Sequence, residues 1–357
     1  MSVTKHEKLI ASICALLAAV FYAVNTPISK LLLDHVPPVY MASFLYLGAG
    51  LGVGIMYLFH LKNERSEERL SKKDWPYTVA MAVLDIVAPV LLMIGIRIGS
   101  AANASLLGNF EIVATTLIAL AVFGEAVSGR LWFAIVLITG SSLILSFDGN
   151  ESFHFSWGSI LVILAASCWG LENNCTRKIS DKSTYEIVVI KGVFSGFGAL
   201  IIAMITGEVF PGWQYLLPAM LLGFIAYGLS IFLYIRAQRE LGAAKTSAYY
   251  AVAPFIGSFL AFVVNGEKLT QGYILALIIM LVGTTCVVYD TMMKHHRHGH
   301  THRIIHAHNG VIHTHVITHE HGHDHFMVSG EHRHSHRGYL LSQAHREAHR
   351  QKDEERS

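Results

Sequence analysis

Polar and ionisable residues interrupt otherwise apolar runs at Asn25, Asp85, Arg97, Asn103, Asn109, Glu111, Glu172, Asn173, Asn174 and Lys191. Such groups are costly in a lipid-like interior and there face a cavity or one another. Asp85, Glu111, Glu172, Asn173, Asn25 and Asn109 are therefore candidate ligands for a substrate or a coupling ion. Asp85 and Glu111 lie mid-run without a sequence-local basic partner. Buried carboxyls can exchange protons near neutrality, so proton coupling through one of them is an expectation. Glu172-Asn173-Asn174 is the densest cluster and reads equally well as a substrate or cation site or as a wetted helix end. Cys168, Glu172 and Cys175 share one helical face. That set suits a soft or borderline cation, although small residues packing a helix interface account for it more simply. Lys191 is placed to snorkel or to pair with an acid such as Glu172. Glu125 and Glu267 each follow a glycine and read as structural, capping the next helix or meeting its positive end.

The C-terminal stretch offers different chemistry. Residues 291–357 hold 18 of the 22 histidines, many as His-x-His. Imidazole is a leading ligand for Zn2+, Ni2+, Co2+ and Cu2+. His306, His308, His313, His315, His319, His321, His323 and His325 are the candidate ligands. Asn309-Gly310 sits between alternating, β-branched flanks, a strong hairpin signal. A two-residue turn there pairs 308 with 311, 306 with 313 and 304 with 315. His306, His308, His313 and His315 then share one face, near enough for imidazoles to share a metal. A lone hairpin is marginal, so metal is expected to order it. The other reading is a disordered, low-complexity tail that binds metal weakly or responds to pH.

These residues need elements to hold them. The chain is 53% hydrophobic and 15% charged, with a mean hydropathy of +0.45, whereas a soluble domain carries about 25% charged residues. Runs of about 20 apolar residues cross a hydrocarbon core roughly 30 Å thick. They fall near 9–33, 39–61, 76–96, 101–122, 131–147, 157–176, 185–206, 213–235, 243–263 and 271–290. Lys5 and Lys8 precede the first run, which has no small-residue cleavage site and reads as an ordinary span. With the N-terminus inside, cytoplasmic segments before the tail carry fourteen Lys and Arg, and the outer loops carry only Lys30, Arg97 and Lys268. Both termini are therefore expected in the cytoplasm. The four cysteines, Cys14, Cys168, Cys175 and Cys286, fall inside apolar runs and form no disulfide framework. No basic stripe or nucleic-acid motif accompanies the net charge of +2, so nucleic acid is excluded as a partner.

The chain also repeats itself. Gly99-Ser100-Ala101-Ala102 aligns with Gly242-Ala243-Ala244-Lys245, Gly129 with Gly272 and Gly140 with Gly283, all 143 residues apart. Gly124-Glu125 and Gly266-Glu267 match within one residue of that register, and Tyr22-Ala23-Val24-Asn25 matches Trp169-Gly170-Leu171-Glu172. Two halves of five helices follow, and an odd number inverts the second half relative to the first. The expected architecture is an all-α integral membrane protein of about ten transmembrane helices in two inverted five-helix repeats, 1–148 and 149–290. A mostly disordered His-rich tail, 291–357, completes it.

With these duplicated endings, Gly99 to Gly140 and Gly242 to Gly283, and the Trp169-Gly170 opening, the chain resembles the EamA family of the drug/metabolite transporter superfamily over about residues 9–290. The resemblance implies a ten-helix exporter or exchanger of small solutes that breaks no covalent bonds. The family usually has Glu-Pro in the fourth helix of each half. Here Glu111 precedes Ile112 and Ala253 precedes Pro254, so each half keeps one member of the pair.

The expected function is a multi-pass secondary transporter of metabolite-type small solutes in the cytoplasmic membrane, not an enzyme, with a metal-binding tail. No P-loop is present to supply direct ATP drive. A divalent Zn, Ni or Co exporter fed by the tail is the alternative, and a membrane-anchored metal-storage or sensing protein is one of another class. No cofactor is required; Zn, Ni or Co held by the tail is the metal expected. The lipid bilayer and a small-molecule or metal-ion substrate are the partners, with a homodimer left open.

Overall fold

The computed structural model describes residues 5–61, 69–124, 127–148, 154–179, 182–241, 243–308 and 311–326. The chain divides into two compact units, Met1–Asp290 and Thr291–Ser357.

The first unit is helical. Its helices are α1 (Lys5–Ala23), α2 (Asn25–Leu32), α3 (Pro38–His60), α4 (Trp75–Ile98), α5 (Ala101–Leu107), α6 (Phe110–Phe123) and α7 (Gly129–Leu145). There follow α8 (Trp157–Arg177), α9 (Thr184–Ile205), α10 (Trp213–Gly223), α11 (Ser230–Leu241), α12 (Ala243–Tyr250), α13 (Ala253–Asn265) and α14 (Gln271–Met292). Between α7 and α8, β1 (Phe147–Asp148) pairs antiparallel with β2 (His154–Phe155).

Among the described residues, eight stretches are long and apolar enough to cross a membrane. They are Leu9–Leu32, Pro38–His60, Lys72–Ile98, Ala101–Val122, Thr184–Ile205, Trp213–Ala237, Thr246–Asn265 and Gln271–Met292. The sequence predicts ten. The two remaining positions are helical as well, but α7 has only 17 residues. In α8, Glu172, Asn173, Asn174 and Arg177 crowd the last two turns and lower its hydropathy. Large apolar side chains such as Phe194, Ile205, Leu217 and Val263 lie exposed on the outside, as lipid-facing positions require.

Four predicted spans are not continuous α-helices. The first breaks at Val24 between α1 and α2, the fourth at Gly108-Asn109, and the ninth at Ala251-Val252. A π-helical turn, Phe224–Leu229, joins α10 to α11 in the eighth. Proline explains two of the breaks. Pro27 and Pro254 have no N–H for the carbonyls of Ala23 and Tyr250 four residues earlier. Pro89 does the same to the Asp85 carbonyl inside α4. Backbone irregularity at this depth is tolerated where protein or a polar cavity surrounds it.

The most extensive helix pairings join an element before residue 148 to one after it: α3 with α9, α4 with α8, α1 with α11, and α6 with α8. The α3–α9 crossing depends on Gly50 and Gly192, for a Cβ on Gly50 would stand 2.7 Å from the Gly192 carbonyl carbon. Small residues at such a crossing let two membrane helices approach closely. Tyr46 lies one turn before Gly50, and Lys191 immediately precedes Gly192.

The second unit holds a hairpin of two strands, β3 (Met293–His308) and β4 (Val311–Phe326), paired antiparallel from Met293↔Phe326 to His308↔Val311. His306 stands opposite His313 and Ile304 opposite His315, the register expected from a two-residue turn. Asn309 and Gly310 themselves lie outside the described residues. The pairing runs far beyond 304–315, which corrects the expectation of a mostly disordered tail for residues 293–326. Thr301, Ile304, Ile305, Val311, Ile312, Val316, Ile317 and Thr318 supply the β-branched character behind that extension. Residues 327–357, with the His332-x-His334-x-His336 run, lie outside the described residues.

Gly192→Val should force α3 and α9 apart at a cost of about 1–3 kcal/mol. Thermal unfolding of the detergent-solubilised protein should show a clear fall in Tm. Gly54→Val should not, because its Cβ would meet only Val189 Cγ2, at 3.8 Å.

Candidate functional site

Four side chains from four helices meet inside the bundle. Lys191 Nζ of α9 lies 2.8 Å from Glu172 Oε1 of α8 and 3.3 Å from Asp85 Oδ2 of α4. Tyr46 of α3 donates its hydroxyl hydrogen to Asp85 Oδ1 at 3.1 Å, and the Thr176 hydroxyl donates to Glu172. Asp85 and Glu172 are almost fully buried, and the Lys191 side chain is 16% exposed. Burying one ammonium between two carboxylates is tolerable only because each charge has a close partner. Lys191 thus pairs rather than snorkels, and it takes two acids where the sequence suggested one.

The next residue on α8 reaches a third acid. Asn173 Nδ2 donates to Glu111 Oε1 at 2.5 Å. Glu111 occupies the first turn of α6, beyond the break, where the positive end of the helix favours a carboxylate. One turn of α8 therefore gathers all three candidate acids, with Glu172 linked to Asp85 through Lys191 and Asn173 linked to Glu111.

Tyrosines wall this region. Asn25 Nδ2 donates to the Tyr227 hydroxyl at 3.0 Å, and Ser29 donates to Asn25 Oδ1 at 3.2 Å. Tyr227 sits in the π-helical turn, and its ring centroid is 5.3 Å from that of Tyr46 and 6.1 Å from that of Tyr22. Tyr22 continues to Tyr250 at 5.7 Å and Tyr250 to Tyr234 at 5.1 Å. Asn109, at the break in the fourth span, is buried, and its amide nitrogen has no hydrogen-bond partner among the described residues. None of these tyrosines was singled out by sequence; only their mid-run position could have marked them.

Other candidates serve packing. Asn174 donates to the carbonyls of Thr115 at 3.1 Å and Gly170 at 2.8 Å, fastening α8 to α6. Asn103 lies in the first turn of α5 and donates to Leu145 O. Arg97 contributes its carbonyl to Lys30. Among the described residues, no three His, Cys, Asp or Glu side chains approach as a metal-binding group would, and Glu172 turns to Lys191 and Thr176. The eight tail histidines proposed as ligands occupy β3 and β4 and are described only by their register.

One end of the bundle is tied by charges on helix termini. Lys30 Nζ donates to the carbonyls of Ile96, Arg97 and Gly99 at 2.7, 3.0 and 2.7 Å, where α4 ends. Glu267 accepts from the Ser100 hydroxyl at 2.5 Å and from the N–H groups of Ala101 and Ala102 at 2.6 and 3.0 Å, where α5 begins. Glu208 accepts from the N–H groups of Val39 and Tyr40 at the start of α3. Glu267 is a cap, as expected, but of a helix 166 residues away rather than of the next one. Its counterpart Glu125 lies outside the described residues. Toward the opposite end, a cavity of about 300 Å3 opens between α3, α9 and α11. Its wall runs from Val53, Val188 and Gly228, beside Lys191 and Tyr227, out to His60, Arg236 and Glu240.

Residues 9–147, and again 156–289, match the EamA-like transporter family. An "uncharacterized transporter" of Methanothermobacter thermautotrophicus is 27% identical over 292 residues, 76% of this chain and 84% of its own. One of Clostridium kluyveri is 21% identical over 282 residues, covering 75% and 90%. The Bacillus subtilis "uncharacterized transporter YyaM" is 18% identical over 249 residues, covering 66% and 80%. A solved structure titled only as the crystal structure of a protein superposes with a TM-score of 0.58 at 15% identity, over 79% of this chain and 96% of its own. That likeness bears on the fold.

Lys191→Met should strand two buried carboxylates and destabilise the protein by about 3–5 kcal/mol. Adding Asp85→Asn and Glu172→Gln removes those charges and should restore most of the Tm. Failure of the triple variant to recover would show that the cluster contributes packing rather than charge balance.

Proposed function

The chain belongs to the EamA-like transporter family, and on that premise we propose that it carries a small organic solute with a cationic or zwitterionic group. Transport is secondary, across the cytoplasmic membrane, by export or exchange. The observation that carries this reading is the charge balance of the interior, where Asp85 and Glu172 share one cation, Lys191, and Asn173, the next residue on α8, holds a third acid, Glu111. A solute ammonium fits the acidic excess, and a solute carboxylate fits Lys191. The tyrosines supply flat apolar walls with polar tips, and Asn109 supplies a buried donor. Asp85 and Glu111 are the groups proposed to exchange protons for solute.

The ten-span, inverted-repeat reading draws support from the two family matches and from helix pairs that exchange the halves. The pair α4–α8 joins the third span to the sixth, and α1–α11 joins the first to the eighth. With both termini in the cytoplasm, the 300 Å3 cavity opens to the cytoplasm, and the end tied by Lys30, Glu208 and Glu267 faces outward. A divalent-metal cargo delivered by the tail is the second reading, favoured by the histidine register of β3 and β4.

The purified full chain in proteoliposomes tests the choice. Amino-bearing solutes should raise its Tm and drive counterflow, and Glu111→Gln or Asp85→Asn should weaken binding at least ~10-fold, the scale of one charged hydrogen bond. Stabilisation by Zn2+ or Ni2+ alone, persisting after residues 291–357 are deleted, would move the cargo to metal. Transport should also depend on pH in the wild type. A wild-type pH profile that persists in both Asp85→Asn and Glu111→Gln would remove these carboxyls from proton coupling.

A further inference from the structure

The strands β3 and β4 contain thirteen histidines, and in the observed register twelve of them occupy positions of one parity. On β3 these are residues 296, 298, 300, 302, 306 and 308; on β4 they are 313, 315, 319, 321, 323 and 325. Each paired couple sums to the same odd number, so an even position on β3 always stands opposite an odd position on β4. Paired residues lie on the same side of a two-stranded ribbon, so the twelve positions form one face. His295 is the single histidine of the other face, whose remaining residues are mostly Thr, Ile, Val, Ala, Gly, Arg and acids.

That face is not uniform. Histidine stands opposite histidine at 296:323, 298:321 and 300:319, and again at 306:313. Between these facing histidine pairs the couples are His302:Ile317 and Ile304:His315, each with one aliphatic member. Low-complexity metal buffering needs only composition. It has no need for alternation, for a register that puts both strands' histidines on one face, or for aliphatic residues separating two blocks.

We propose that the hairpin is a two-block imidazole ladder that binds Zn2+ or Ni2+ in separate groups. One group uses positions 306, 308, 313 and 315, and the other uses 296, 298, 300, 319, 321 and 323. Positions 308 and 315 stand four residues apart along the ribbon, about 13 Å, so the ion near the turn is held by the facing pair 306:313 with one of those two and a further ligand in its four-coordinate shell, and the longer block takes at least one more ion. This rests on the reading that the tail binds metal, and adds that register, rather than histidine content, sets how tightly it binds. Imidazole binds metal as the neutral base, so acidification should release the ions.

The test is equilibrium dialysis of the full-length protein against Zn2+ or Ni2+ with a competing chelator. It compares wild type, the His306/His308/His313/His315→Ala variant and a composition-matched variant. The last is His313→Thr, Thr314→His, His315→Val and Val316→His together, which moves two histidines to the other face and keeps their His-x-His spacing. At least two tightly bound ions are expected in the wild type. Both variants should lose the ion of the block near the turn, with affinity there falling ~10-fold or more, while the longer block stays occupied. An unchanged binding curve in the swapped variant, with binding intact in the wild type, would overturn the ladder and leave metal binding by composition. No tight binding by the wild type would overturn the metal reading itself.

Discussion

Everything else in the membrane unit is arranged around one buried cation held between two buried acids. An ammonium and two carboxylates taken out of water cost several kcal/mol each unless their partners stay within contact distance. Lys191, Glu172 and Asp85 keep that distance across three helices, with Tyr46 of a fourth as an added donor. Backbones must come close enough to allow it, and Gly50 against Gly192 provides that approach at the α3–α9 crossing. Substitution at the glycine pair therefore acts on the charges at one remove. A wider crossing moves α3, with Tyr46 that donates to Asp85, away from the helix that carries Lys191.

Much of this centre was legible in the sequence because ionisable residues stand out in apolar runs. Asp85, Glu111, Glu172, Asn173, Asn25 and Asn109 could be named from that contrast alone. How they combine could not, because partners 19, 62 or 202 residues apart leave no local periodicity. The helix breaks escaped for a related reason. Hydropathy measures how apolar a segment is and not whether its hydrogen-bond ladder is intact, so a break at Val24 or at Gly108-Asn109 reads as continuous helix. The tyrosines escaped because Tyr is ordinary in a membrane helix, and only the chain of ring contacts from Tyr46 to Tyr234 sets these five apart.

The tail shows the opposite balance. Its register could be read because Asn-Gly between β-branched residues specifies a turn, and a turn specifies every pair that follows. Its extent could not, since histidine is a weak strand signal and the outer segments look like polar repeats. Once the register is in hand, alternation of His with non-His over thirty-two strand residues becomes a statement about one face.

The ties at the helix termini and the buried triad differ in strength, and that difference decides which can move. A charge on a helix end contributes about 0.3–1 kcal/mol, reaching ~2 in partly buried settings. Lys30, Glu208 and Glu267 are of this kind, and each meets groups that water can satisfy when the contact opens. The Lys191 cluster has no such substitute while it stays in the interior. A carrier that exposes a central site first to one side and then to the other must break contacts at one end without unpairing charges in the middle. Weak, rehydratable ties stand at both ends, with Leu70 N–H on Glu186 and Ser128 and Arg130 on Asp290 at the end where the cavity opens. The strong cluster joins α4 and α8 to α9 and ties those three helices to one another.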